Sequence, residues 1–312
     1  MLSYDRLSRK PGIFRSFTGL ELQEFDSVYA RLLEVVPVTE EKRLHREDRK
    51  NRMGAGRPFK LPLRDRLLML LIYYRLYVTS TLAGFLLDLG QSNVLKNIRI
   101  LEPAVKMILP LPCRLHKAQR RLRTPEEVEE VFPGFKAFLD ATEQEIPRPG
   151  EKRKRATHYS GKARRHTVKT QVTVNVSGLM VHKTRHAAGR RHDYSVFKRS
   201  HPRLPERVTL GVDLGYDGIR RDCPDLLVDI PFKRRSPGRG KRGEKARPLT
   251  PEQRAHNKAL SRARAVVEHT ISRLKKYRIM GGEFRNRLRH YDDATDIVSG
   301  LVNFRILGSL AV

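Results

Sequence analysis

The sequence predicts an α/β protein: a mixed five-stranded sheet flanked by helices and preceded by an all-α region. Three features carry that expectation. Helical apolar spacing fills the first third of the chain, stretches of strand length and composition begin at Phe135, and a long capped helix starts at Thr250. With 312 residues, 39% of them hydrophobic, the chain can bury one sizeable domain and a smaller module.

Taken in order, Phe25, Val28, Leu32 and Val35 repeat at helical spacing behind Thr18-Gly-Leu-Glu21, a pattern able to cap a helix reciprocally. Glu40 to Lys60 alternates charges and includes Gly54-Ala-Gly-Arg-Pro58, which reads as a flexible basic linker. Leu67, Leu70, Leu71, Tyr74 and Leu76 give a helix with a broad apolar surface, and a second helix covers about Thr81 to Leu87. The Leu89-Gly90 pair then turns the chain into a third helix, whose polar front is Gln91, Ser92, Asn93 and Lys96. Helix, glycine-containing turn and polar-fronted helix fit a helix-turn-helix with its third helix in a DNA major groove; they also fit an ordinary helical hairpin.

The stretch from Pro110 to Pro133 is basic at Arg114 to Arg121 and acidic at Glu126 to Glu130, and reads as a connector. Strands are expected at Phe135–Ala141, at Thr167–Val176 and, after a Ser177-Gly178 turn, at Leu179–Thr184. In the second of these, Val168, Val172, Val174 and Val176 alternate with Lys169, Gln171, Thr173 and Asn175. Asp193 is placed to cap a short helix through Phe197, and Val208–Asp213 and Leu226–Ile230 complete five strands. Thr250-Pro-Glu-Gln253 supplies a cap, a first-position proline and a side chain that reaches back; the helix should run to about Met280, where Gly281-Gly282 ends it. A last helix near Asp292 to Leu307 presents Ile297, Val298, Leu301 and Ile306. The resulting division is residues 1–60 (helix and linker), 61–112 (the three helices), 113–133 (connector) and 134–312 (the α/β domain).

Sixty-four Lys and Arg against 34 Asp and Glu leave a formal charge of +30, which a compact chain tolerates best beside a polyanion. The charge is spread along the chain rather than held in one tail, and no long amphipathic helix with aromatic anchors accompanies it, which favours nucleic acid over a membrane surface. Cys113 and Cys223 lie far apart without the company a zinc site or disulfide framework needs, as fits a reducing cytosol. The amino terminus is charged where a signal peptide would be apolar, and no stretch approaches the length of a membrane span, so neither export nor insertion is expected.

Three carboxylates stand out. Asp140 ends the apolar run Phe135-Lys-Ala-Phe-Leu, where a free charge is costly unless it meets a cation. Asp213 ends another apolar strand, at the carboxyl edge where open sheets place their sites; Asp217 is its rival but sits between Tyr and Gly as an ordinary turn residue would. Glu268 lies within the long helix, in one stripe with Arg264 and Lys275. Alone, it reads as easily as half of an exposed Arg–Glu pair.

Taken together, Asp140-Ala-Thr-Glu-Gln-Glu-Ile-Pro-Arg-Pro149, Tyr159-Ser-Gly-Lys162 with His166 and Lys169, Gly189-Arg-Arg-His192-Asp193, Asp213-Leu-Gly-Tyr-Asp-Gly218, and Arg264-Ala-Val-Val-Glu268 with Lys275 make nearly the whole chain resemble the bacterial insertion-sequence transposases of the DDE superfamily. The resemblance implies an RNase H-like sheet carrying Asp140, Asp213 and Glu268 as a catalytic, metal-holding triad, preceded by a helix-turn-helix. It implies two Mg²⁺ ions, with Mn²⁺ able to substitute, since a metal pair activates the attacking oxygen and stabilises the leaving one. Asp193 is a further candidate ligand, though its helix-capping role reads equally well. Arg264 and Lys275, with Lys162 and Lys169, are expected on phosphate, and Gln91, Ser92, Asn93 and Lys96 on the terminal inverted repeats. Double-stranded DNA is the expected partner, bound by a homodimer or larger assembly in the bacterial cytoplasm and nucleoid. Two departures from the family pattern, Leu214 where Lys is common and Ser261 where related enzymes carry Tyr, leave the metal ligands in place. A decayed transposase acting as a DNA-binding regulator is the alternative reading.

Overall fold

The computed structural model describes residues 1–45, 55–234 and 248–310. The chain divides into a helical unit, Met1–Leu111 with Arg273–Val312, and a sheet unit, Pro112–Ser272.

The helical unit begins with α1 (Tyr4–Ser8), α2 (Pro11–Thr18) and α3 (Leu22–Leu44), followed by α4 (Leu63–Leu76), α5 (Ser80–Leu87) and α6 (Gln91–Ile108). Tyr4, Phe14 and Phe25 lock the first three helices together, with ring centroids 5.0, 5.3 and 5.8 Å apart. Thr18 does not cap α3 as its spacing suggests. It closes α2, donating to the Phe14 carbonyl, while Glu21 and Glu24 form the reciprocal cap. The helix α3 runs on through residues 40–44 of the expected linker, supported by an Arg43–Glu40 pair one turn apart; residues 46–54 of that linker lie outside the described ones. From Asp65 to Tyr74, α4 is buried on every side and forms the centre of this unit. Thr79 caps α5, and Gly84 lets the following turn close, because a β-carbon there would overlap the Leu89 carbonyl oxygen.

The sheet unit contains α7 (Pro112–Gln119), α8 (Pro125–Val131), β1 (Lys136–Glu145), α9 (Lys152–His158), β2 (Tyr159–Ser160), β3 (Arg165–Asn175), β4 (Met180–Lys183), β5 (Ala187–Ala188), α10 (Asp193–Ser200), β6 (Thr209–Gly211), α11 (Ile219–Asp222), β7 (Val228–Asp229) and α12 (Pro251–Lys275). The stretch read as a connector is therefore two helices, and Thr124-Pro-Glu-Glu127 opens α8 with the same cap chemistry that Thr250 and Gln253 give α12. Among the described residues the sheet has seven strands rather than five, in the order β2-β3-β1-β6-β7 with β4 and β5 also on β3; the two added strands are two residues each, too short to show a period. β1 is antiparallel to β3 and parallel to β6, which is parallel to β7. The alternation in β3 suggested a half-exposed strand, yet from Thr167 to Asn175 it is buried on both faces. Some of its polar side chains are paired internally: Asn175 donates to the Val131 carbonyl and accepts from Ser177 and Leu179, which fixes the β3–β4 turn, whereas the buried Thr170 and Thr173 hydroxyls have no partner among the described residues.

The long helix ends at Lys275, short of Met280. Gly281 packs against the Lys275 carbonyl too closely for any side chain, and α13 (Arg278–Gly281) starts a new direction. The last helix, α14 (Tyr291–Leu310), buries Ile297, Val298 and Leu301 in the helical unit and ties to the end of α6 through Asn303, which donates to the Pro110 carbonyl at 3.0 Å.

Candidate active site

Two of the expected acids are set side by side by strand register. Along the parallel β1–β6 pair, Lys136, Ala137 and Phe138 face Thr209, Leu210 and Gly211. Two residues further on each chain stand Asp140 and Asp213, at the carboxyl end of β6, where parallel strands open into a crevice. Gly211 makes the close pairing possible, since a β-carbon there would strike the Phe138 ring. Both aspartates are half-buried. Asp213 Oδ1 accepts from the Gly215 N–H at 2.8 Å as the chain leaves the strand. Burial raises the pKa of Asp140, opposed by the Ala141 N–H and the charge of Arg264 and reinforced by Asp213 and Asp193.

Arg264 reaches this site from α12, whose buried face runs through Leu260, Val267, Thr270 and Leu274. At 3.6 residues per turn Arg264 lies about 40° and Glu268 about 80° from Leu260, on the same side, so Arg264 flanks the buried face and Glu268 stands at its border. Arg264 is half-buried with Nε unpartnered, and its charge acts on both Asp140 and Tyr216. Glu268 is exposed, one turn further on. Lys275 is exposed at the end of the same helix, within the helical unit.

The donor set suits a hard divalent cation, because carboxylates converge on Asp140 with one arginine to offset them. Among the described residues, however, no three His, Cys, Asp or Glu side chains are gathered as an ion would require. The charges that act on Asp140 are those of Arg264, Asp213 and Asp193, while Glu268 is exposed on α12.

Lys169 departs from its expected role as a phosphate contact. Its side chain is 8% exposed and its ammonium is enclosed by Asp193 at 2.7 Å, Glu143 at 3.3 Å and the Arg191 carbonyl at 2.8 Å. Asp193 is the first residue of α10, with His192 in the cap position, and its carboxylate is committed to Lys169. Asp217 is exposed and pairs with Lys233 at 3.6 Å. Lys162 is exposed in the β2–β3 turn; His166 stacks edge-on to Tyr159, and His192 is exposed. The sequence from Lys233 to Arg247, rich in Lys, Arg and Gly, lies outside the described residues from position 235. In the helical unit Gln91, Ser92, Asn93 and Lys96 are all exposed at the start of α6, with Gln91 Nε2 donating to Ser80.

Sequence reasoning missed the scaffold behind the aspartates. Gln171, fully buried, donates from Nε2 to the Tyr216 hydroxyl at 2.9 Å and to the Asp193 carbonyl at 2.6 Å. Burial, then Asp193, Asp140 and Asp213, push the Tyr216 pKa well up, so its hydroxyl keeps its proton. Glu143 accepts from Thr167 Oγ1 at 2.9 Å; burial opposes its charge, but the Ser160 and Thr167 hydroxyls and Lys169 hold its pKa below the usual range. Gly189 permits this approach, since a β-carbon would overlap Thr167 Oγ1. The signal in the sequence was that Glu143, Gly189 and Tyr216 fall inside the quoted motifs.

Comparison with known proteins converges on one family. A family described as DDE superfamily endonuclease matches residues 139–303, a span that contains Asp140, Asp213 and Glu268. A protein of Microchaete diplosiphon named as a transposase for insertion sequence element IS702 is 30% identical over 259 residues, covering 83% of this chain and 86% of the relative. A protein of Streptomyces albus G named as a transposase for insertion sequence element IS112 is 24% identical over 273 residues, 87% of this chain and 86% of the relative. No solved structure matches the chain significantly. No helix among the described residues is long and apolar enough to cross a membrane. The chain belongs to the insertion-sequence transposases of the DDE endonuclease superfamily.

Proposed function

We propose that the chain binds the terminal inverted repeats of an insertion sequence and cleaves and joins DNA at Asp140, Asp213 and Glu268, carried on an RNase H-like sheet. The observation that most supports this reading is the register that sets Asp140 level with Asp213 beside Arg264. Asp140, Asp213 and Glu268 would hold two Mg²⁺ ions, with Mn²⁺ able to replace them, and the bound pair would activate the attacking oxygen and stabilise the leaving one. Glu268, exposed on the rim of α12, completes the set by swinging its side chain toward the aspartates. Arg264, with an unspent buried Nε donor, is suited to a phosphate oxygen at the same place. Lys162 and Lys275 serve as outlying phosphate contacts. Lys169 acts through Glu143 and Asp193, holding the scaffold rather than the substrate.

Repeat recognition falls to α5 and α6 used as a helix-turn-helix. Gln91, Ser92, Asn93 and Lys96 reach base edges, and Arg57 and Lys60, which line one groove with Asn93 and Lys96, meet the backbone. Paired cutting of two ends calls for a homodimer or larger assembly on the DNA, which is its site of action in the bacterial cytoplasm. That no three acids are gathered among the described residues favours one second reading, a DNA-binding regulator that has lost cleavage.

Cleavage of a labelled duplex carrying the element's own terminal repeat separates the two. With Mg²⁺ or Mn²⁺ the wild type nicks at the repeat boundary, and Asp140→Asn, Asp213→Asn and Glu268→Gln each lose at least about 100-fold in rate while repeat binding persists. Specific binding without cleavage in either metal would establish the regulator instead.

A further inference from the structure

Within the helical unit, away from α5 and α6, a cavity is lined by Arg15, Arg75, Arg273, Lys276 and Arg305 around Tyr277. No carboxylate of the described residues lines it. Arg15 and Arg305 are partly neutralised from outside, by Glu21 at 2.8 Å and Glu24 at 3.1 Å. Arg75 donates weakly to the Ser16 carbonyl at 3.4 Å and lies over the Tyr277 ring, while Arg273 and Lys276 pair with no carboxylate among the described residues. Tyr277 is 3% exposed, and its hydroxyl has no hydrogen-bond partner among the described residues. A buried donor left unmatched costs about 1–3 kcal/mol, so this hydroxyl marks a place where an acceptor belongs. Gly19, with φ of 80°, keeps the space beside that hydroxyl clear, because a β-carbon would stand 2.7 Å from the Tyr277 oxygen.

We propose that this cavity binds a backbone phosphate of duplex DNA, a second contact surface that rests on the transposase reading. Like charges crowded on one concave surface repel until an anion joins them. A phosphate, with several acceptor oxygens, takes donors from two or three guanidinium or ammonium groups and a hydroxyl at once. Burial, and after it Arg305 and Arg15, works against the charge of Arg75, while Tyr277 pulls the other way. Burial also pushes the Tyr277 pKa up to about 12, which keeps its hydroxyl a donor near neutral pH. The contact carries no base information, so it strengthens binding to repeat and non-repeat DNA alike.

The test uses the full chain and labelled duplexes of repeat and scrambled sequence, titrated across a salt series. Arg273→Ala/Lys276→Ala should weaken both duplexes by the same factor and flatten the slope of log affinity against log salt by about 1, as loss of one phosphate contact requires, and Tyr277→Phe should weaken both about 5-fold. Thermal denaturation accompanies each variant, and Tyr277→Phe, which keeps the ring, serves if the double variant is unstable. Unchanged affinity and slope in a folded variant would overturn the proposal. Calorimetry with inorganic phosphate separates the two sources of the anion: binding that depends on Arg273 and Lys276, with duplex affinity untouched, would make this a free-anion site and reject the DNA contact. A wild type that binds duplex with the full salt slope yet never nicks it would sink the transposase reading alone and leave the cavity standing.

Discussion

His182 in β4 is a buried base with no compensating partner. Its Nδ1 is unpaired, its ring lies 4.7 Å from that of His116, and burial, then His116, Lys183 and His201, lower its pKa to about 3. The folded value lies below the unfolded value of about 6.5, so the unfolded chain takes up the proton first. The stabilising difference is therefore complete above pH 6.5 and declines as pH falls toward 3. By pH 5 the wild type should have lost about 2 kcal/mol through this residue. Urea denaturation at pH 7 and pH 5 reads it directly: His182→Gln should lose less stability between the two than the wild type, and an equal loss would show that other groups govern acid sensitivity. Lys169 makes a related point about reading single residues. The motifs around it point to a phosphate contact, and only the strands on both sides of β3 convert it into an internal counter-ion for Glu143 and Asp193.

At the scale of elements, the α5–α6 turn depends on Gly84, where a β-carbon would stand 2.4 Å from the Leu89 carbonyl oxygen and whose own carbonyl accepts from the Leu89 N–H at 2.9 Å. Gly84→Ala should cost about 1–3 kcal/mol by forcing the turn open and should lower affinity for the terminal repeat more than for scrambled duplex, as measured by paired denaturation and binding titrations. Equal losses on both duplexes would separate this turn from sequence reading. Elements with strong local chemistry are legible in the sequence: α4 and α14 from apolar spacing, α12 from Thr250-Pro-Glu-Gln253, β1 and β3 from their composition. Those set by partners were not. β2 and β5 exist because β3 offers an edge, and α8 carried a readable cap that its acidic composition masked. The candidate site divides the same way. Asp140 and Asp213 announce themselves at the ends of apolar runs, while Gln171, Tyr216 and Glu143 act only through contacts across 24 to 45 residues of sequence.

At the scale of the whole molecule, the chain leaves the helical unit at Leu111, builds the sheet unit and returns at Arg273. The helical unit is therefore completed only by the last segment. Within it α14 buries Tyr291, Ile297, Val298, Leu301 and Val302, Asn303 caps the Pro110 carbonyl, and Gly300 admits Leu109 and Leu111. Burying five such side chains contributes roughly 1.5–3 kcal/mol each before entropy is counted, which is comparable with the whole stability of a domain. Ending the chain after Ser272 should thus unfold the helical unit and leave the sheet unit intact, since the core of β1, β3 and α12 up to Thr270 is its own. Hydrogen exchange gives the outcome segment by segment. Amides of α4 and α6 should lose protection by several orders of magnitude while those of β1 and β3 keep theirs. Protection lost equally in both units would mean that the sheet unit depends on the helical one to fold; protection kept in α4 would mean that α14 is dispensable, and with it the claim that the chain must return to finish what its first 111 residues begin.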